Sequence, residues 1–236
     1  DVHFAASREK LVVVSPGQKL MHRYNLADFR REKTAPLALQ GNVQEVVMGC
    51  SSDGPLLLWP GGDTVYFDLN SLKPIPVRGK VLSGNPRYGY ALRVSADGRV
   101  FMGWTTGLSG QHFAAMRLIG KDVVLKNTPD SFSFNERWAM PNADSGLYFR
   151  YQSGIYNPNL EVVTADQFKG WALVPTEDPR YFLAVRGHGK NGPSTVAICT
   201  TAERRIVHTV AGVEPMANTS VVTRHGNFWG EPRARF

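Results

Sequence analysis

Cysteine is nearly absent from this chain: only Cys50 and Cys199 occur in 236 residues. That count excludes a disulfide-stapled scaffold, and a zinc site would need further ligands close to them. Both cysteines sit in apolar, strand-like runs, so buried and unpaired thiols are expected. Charged residues are sparse too, at 20%. No apolar stretch approaches the ~18 residues that crossing a bilayer takes, so no membrane span is expected. No signal-peptide pattern opens the sequence. It begins at Asp1 rather than methionine, so a processed or excised piece of a longer protein is expected. The compartment stays open, with the cytoplasm slightly favoured. Helical periodicity is missing over any window of about 11 residues. The charge-rich stretch 25–35 is the one place where a helical turn is expected.

What is present is turn-forming and β-forming. The chain holds 23 glycines and 15 prolines, and its hydrophobic share of 42% is spread evenly through it. Many short strands joined by tight turns fit that mix, and disorder does not. The 27 basic residues outnumber the 20 acidic ones, a net charge of +7 that favours anionic partners. No dense basic run concentrates that charge.

A repeat organises the rest. Tight turns between apolar runs recur as Ser52-Asp53-Gly54, Ala96-Asp97-Gly98, Ala143-Asp144-Ser145-Gly146 and Glu177-Asp178-Pro179, with a diverged copy at Arg8-Glu9-Lys10. A second marker trails each turn: Tyr24-Asn25-Leu26, Phe67-Asp68-Leu69, Met116-Arg117-Leu118, Tyr156-Asn157-Pro158 and Ile198-Cys199-Thr200. Two markers that keep one period of ~40–45 residues filled with short strands signal the blades of a β-propeller. The expected fold is therefore all-β: a propeller of four-stranded antiparallel blades, five recognisable, plus a partial sixth after Ala211. In that sixth unit, residues 218–223 read as an inner strand and Phe228-Trp229 opens a second one. Strands of this kind cannot bury their faces alone, so the missing ones are expected from an adjacent segment of the parent protein or from a composite blade. No linker divides the chain, and 1–236 reads as one propeller domain.

Two units carry a family resemblance. Asp63-Thr64-Val65-Tyr66-Phe67-Asp68-Leu69 resembles the third strand of WD-repeat propellers, and Ser95-Ala96-Asp97-Gly98-Arg99 resembles the Ser-x-Asp-Gly turn of WD-repeat and YVTN-type bacterial propellers. The Gly-His pair that opens a WD repeat is missing, and Phe67 stands where those repeats carry tryptophan. The resemblance implies an interaction scaffold, since proteins of this kind mostly serve as one, some as domains joined to kinases or helical solenoids.

Chemistry finds little purchase. Asp53, Asp97, Asp144 and Asp178 fall in equivalent turns of separate blades and are expected far apart, as turn-makers whose side chains cap backbone amides. His3, His22, His208 and His225 lack any spacing that would pair two metal ligands. No serine sits in a nucleophile elbow. Gly187-His188-Gly189-Lys190-Asn191-Gly192 lacks the glycine spacing of a phosphate-binding loop and precedes a strand. No catalytic residue, metal or cofactor is expected.

The functional expectation rests on loops. The connections between second and third strands are longest in unit three (Thr105 to His112) and unit five (Gly187 to Ser194), and both should emerge on the same face. Trp104, His112, Arg186, His188 and Lys190 would form an aromatic and basic patch there, of the composition found at interface hot spots. The expected function is a non-enzymatic scaffold that binds a protein, one with an acidic surface, through this face. The alternative is a hydrolase- or lyase-type propeller enzyme with its site at the channel mouth, although the inner strands offer mainly Phe4, Val46, Leu92, Ala139 and Leu173. Nucleic acid is not favoured, because Arg180-Tyr181-Phe182 and Arg150-Tyr151 are expected in buried second strands.

Overall fold

The computed structural model describes residues 1–39, 41–83, 89–106, 113–127, 139–142, 146–150, 154–164, 166–187 and 194–213. Its strands form five separate antiparallel sheets, each a meander in sequence order. Blade 1 holds β1 (His3–Ala6), β2 (Lys10–Ser15), β3 (Leu20–Asn25) and β4 (Arg31–Pro36). Blade 2 holds β5 (Glu45–Val47), β6 (Leu56–Trp59) and β7 (Val65–Phe67). Blade 3 holds β8 (Gly89–Val94), β9 (Val100–Thr106), β10 (Phe113–Ile119) and β11 (Asp122–Asn127). Blade 4 holds β12 (Ala139–Pro141), β13 (Tyr148–Arg150) and β14 (Gly154–Tyr156). Blade 5 holds β15 (Ala172–Pro175), β16 (Tyr181–Gly187), β17 (Ser194–Thr200) and β18 (Ile206–Val213).

In blades 2 and 4 the fourth strand shrinks to a bridge, Phe67 with Pro74 and Tyr156 with Val162. Pro74 and Pro76 explain the first, since a proline has no N–H to extend a ladder. Only the amide of Ile75, between them, donates inward, to the Tyr66 carbonyl at 2.8 Å. Stretch 25–35 is not a helical turn. Asn25 and Asp28 side chains accept the amides of Ala27 and Arg30, which tightens a turn and delivers the chain into β4.

Neighbouring inner strands touch in order, β1 with β5, β5 with β8, β8 with β12 and β12 with β15. Four apolar clusters fill the spaces between successive blades. Val12, Met21, Leu56 and Phe67 lie between blades 1 and 2, and Trp59, Tyr66, Phe101 and Met116 between blades 2 and 3. Met102, Trp104, Phe113 and Tyr148 lie between blades 3 and 4, and Phe149, Phe168, Leu173 and Phe182 between blades 4 and 5. Second strands of the middle blades are apolar on both faces because both faces meet a neighbour: every residue of β6 is 0% exposed. The expected sixth unit lies outside the described residues.

The cysteines divide. Cys199, on β17, is buried as expected. Cys50 is exposed, because it lies just past β5 in the turn toward β6 rather than in a strand.

Candidate functional site

A meander of four strands puts its first-to-second and third-to-fourth turns at one end of the blade and its second-to-third connection at the other. The proposed loop patch belongs to the second kind. The connections β9–β10 and β16–β17 join strands of seven residues each, whereas β6 and β7 have four and three. His112, His188 and Lys190 lie outside the described residues.

Trp104 and Arg186 are described, and they differ. Trp104 is 2% exposed, paired across the ladder with Phe113, their ring centroids 5.3 Å apart in an edge-on arrangement. The Arg93 guanidinium lies 5.5 Å from the Trp104 ring centroid. Strand alternation sets this: Val100, Met102 and Trp104 share the face of β9 that packs on blade 4. Trp104 is thus a core ring beneath the β9–β10 connection, not a ring displayed on the surface. Arg186 is exposed near the end of β16, with its guanidinium 5.8 Å from the centroid of the Trp171 ring.

The opposite end of the blades carries a polar constellation that sequence reading missed. Arg8 of blade 1 donates from Nη2 to Glu177 Oε1 of blade 5 at 2.7 Å. The Ser51 hydroxyl of blade 2 donates to the same oxygen. These two donors, the serine first, hold the Glu177 carboxyl below the usual glutamate range. The three residues occupy first-to-second turns of three different blades, so this contact spans the mouth where the inner strands converge. The exposed Cys50 thiol sits beside it, 3.9 Å from Ser51 Oγ.

Blades 2 and 3 meet closely at the same end. The Ser51 amide donates to the Ala96 carbonyl at 2.9 Å. A Cβ on Gly49 would lie 2.5 Å from both Ala96 O and Gly98 N, so no larger residue fits at that crossing. The two turns enclose a shallow groove of about 440 Å³, lined by Ser51, Asp53, Pro55, Asp97, Arg99 and Leu118 among others. Asp53 and Asp97 therefore share one groove instead of lying far apart, because the turns of adjacent blades lean together. Their chemistry is still that of turns. Asp97 accepts the Ser95 hydroxyl and, at 3.2 Å, the Arg99 amide.

Asp178 repeats the device, accepting the Arg180 amide at 3.0 Å and the guanidinium Nε at 2.9 Å. Those bonds, led by the guanidinium, pull its carboxyl down to about 2. Asp144 lies outside the described residues. Arg180 is exposed rather than buried, and its guanidinium is taken up by Asp178 and lies 5.5 Å from the Tyr181 ring centroid. Among the described residues no three histidine, cysteine or acidic side chains gather closely enough to hold a metal ion, and no helix is long and apolar enough to cross a membrane.

No family model matches the sequence, and no curated protein matches it. Solved structures do match. The WD40 domain of SCAP from fission yeast aligns with a TM-score of 0.50 and 7% identity over 91% of this chain and 56% of that one. A structure of the mitotic checkpoint complex aligns at 0.52 and 14% identity, over 89% of this chain and 63% of that one. An oligogalacturonate lyase in complex with manganese aligns at 0.54 and 9% identity, over 88% and 65%. The chain spans between half and two thirds of the length of these three proteins. At such identities the likeness concerns the fold alone, and both binding assemblies and enzymes are built on it. Five meander sheets with four inter-blade cores, and these neighbours, identify the fold as an all-β propeller.

Proposed function

We propose that this chain is a non-enzymatic interaction module, a diverged WD-repeat-like or YVTN-type propeller domain belonging to a longer protein. It binds a protein partner through the face where the β9–β10 and β16–β17 connections emerge. One observation carries the reading: β9, β10, β16 and β17 are the longest second and third strands, and in a meander the ends of these strands that face each connection point the same way. The Trp104–Phe113 pair closes the described ends of β9 and β10, and Arg186 lies over Trp171 near the end of β16. Loops mounted on rigid strands are where propellers can vary without disturbing their cores.

A net charge of +7 favours an acidic surface on the partner. A solved WD40 domain and a protein solved in the mitotic checkpoint complex are compatible with a scaffold. The enzyme reading would need several convergent carboxylates or histidines at the channel mouth. At the turn end of the inner strands, the Glu177 carboxylate is already engaged by its donors Arg8 and Ser51.

The test is capture by the immobilised chain. A partner retained by the wild type and lost by the His188→Ala/Lys190→Ala double variant, at unchanged thermal stability, supports the face assignment. Equal retention by both proteins overturns it.

A further inference from the structure

The outer strand of a blade turns one edge to solvent, and an uncovered edge is a template for pairing with another chain. Four of the described blades guard that edge. β4 carries Arg31, Glu32, Lys33 and Pro36, and β11 carries Asp122 and Lys126. In blades 2 and 4 the outer segment is reduced to a bridge, at Pro74 with Pro76 nearby and at Val162 beside Glu161. Charge, proline and short pairing all discourage a foreign strand.

β18 breaks the pattern. It is the longest described strand, eight residues, and holds no lysine, arginine, aspartate, glutamate or proline. Seven of the eight are exposed, Ile206, Val207 and Val210 among them. Among the described residues β17 is the one strand paired with it, so alternate N–H and C=O groups on its far side meet no ladder partner. Its register with β17 shifts beside Val207 and again before Val213, where Gly212 takes a φ of +73°. Between the shifts, 208–210 pair regularly. One end of this edge is charged. The turn that delivers the chain into β18 holds Glu203, Arg204 and Arg205, a net positive group, and Arg205 is exposed next to Ile206.

We propose that the β18 edge takes up an extended segment of a partner protein as an added antiparallel strand: a β-branched run followed at its C-terminal end by acidic residues. Antiparallel addition continues the ladder of the blade and is the more stable pairing per residue. It also fixes the chemistry, because the C-terminal end of the incoming strand then lies against Arg204 and Arg205, where carboxylates are favoured. Main-chain hydrogen bonds supply the affinity, and Ile206, Val207 and Val210 favour β-branched side chains opposite them. A second copy of this chain fits less well. Two bodies that each carry +7 repel, and β18 brings no acidic residue of its own to the arginines. The edge lies on the rim of blade 5, so this inference does not depend on which loops bind a partner.

The test uses the full chain and the peptide Thr-Val-Thr-Val-Thr-Asp-Glu, labelled with fluorescein at its N-terminus. Anisotropy at low salt should show saturable binding, weakened at least about fivefold when Lys-Lys replaces Asp-Glu. Arg205→Glu should reverse that preference. Methylating alternate peptide nitrogens should abolish binding in one phase and spare it in the other, since only one edge of the added strand faces β18. Hydrogen–deuterium exchange locates the site: amides within 206–210 should slow when the peptide is added, and those of β4 should not. No binding, binding indifferent to the tail or to the methylation phase, or protection away from β18 overturns the proposal. Protection of 206–210 that rises with protein concentration without peptide, together with a sedimenting dimer, assigns the edge to a second copy and overturns it too.

Discussion

Replacing Trp104 separates two roles that the residue could hold, an anchor displayed to a partner or a ring inside the molecule. Its 2% exposure and its place between blades 3 and 4 assign it to the interior. Trp104→Ala removes a buried indole, a change that costs about 3–5 kcal/mol when the cavity cannot collapse. Collapse is hindered here, because the ring is wedged against Phe113 at 5.3 Å and beneath the Arg93 guanidinium. Edge-on aromatic pairs account for about 0.5–1.5 kcal/mol of such losses. At about 2–4 °C per kcal/mol for a domain of this size, a loss of about 4 kcal/mol lowers the midpoint by about 8–16 °C. Trp104→Phe keeps a ring at the site and should lose only about 1–2 kcal/mol. Urea unfolding followed by far-ultraviolet circular dichroism measures both variants. If Trp104→Ala lost under about 1 kcal/mol while partner capture disappeared, the residue would be a surface anchor and the core assignment would fall.

Three further outcomes are expected. Gly49→Ala drives a methyl group into the backbone of residues 96 and 98, so about 2 kcal/mol of stability should be lost in a urea titration; a neutral result would mean that the turns of blades 2 and 3 do not cross there. Asp178→Asn keeps the acceptor for the Arg180 amide but removes the charge. The native carboxyl titrates at about 2 against 3.8 ordinarily, so the charge stabilises above the unfolded value and is lost as pH falls from about 4 to about 2. The gap between wild type and variant in urea midpoint should be small, present at pH 7 and mostly lost by pH 2, whereas a gap constant over that range contradicts the pairing. Thiol titration should find Cys50 reactive in the native protein at pH 8. Cys199, whose thiol burial pushes up to about 11, should react only on unfolding, and equal rates would contradict its placement.

The period of the repeat was legible because each blade must solve the same local problem, a tight turn between two apolar strands, and Asp97 and Asp178 solve it with the same hydrogen bond. Edges were harder to read. Strand-like alternation runs from Asp63 to Leu69, yet β7 covers only Val65–Phe67, since Thr64 donates its amide to Leu82 and Asp68 turns to accept the Ser71 amide. Trp104 looked like a surface anchor because it borders a long connection, but the parity it shares with Val100 and Met102 was the signal that it belongs inside. The Arg8–Ser51–Glu177 contact had no signature at all, because its members are separated by 169 and 126 residues and only the ring geometry brings them together.

The central claim is that partners dock where β9–β10 and β16–β17 connect, at the end away from the Arg8–Ser51–Glu177 contact. Hydrogen–deuterium exchange of the full chain, free and with its captured partner, tests it directly. Binding at this face should slow exchange at 104–113 and 186–194 and leave the turns at Arg8, Ser51 and Glu177 unchanged. Protection confined to those turns, with both connections exchanging as in the free protein, would contradict the account.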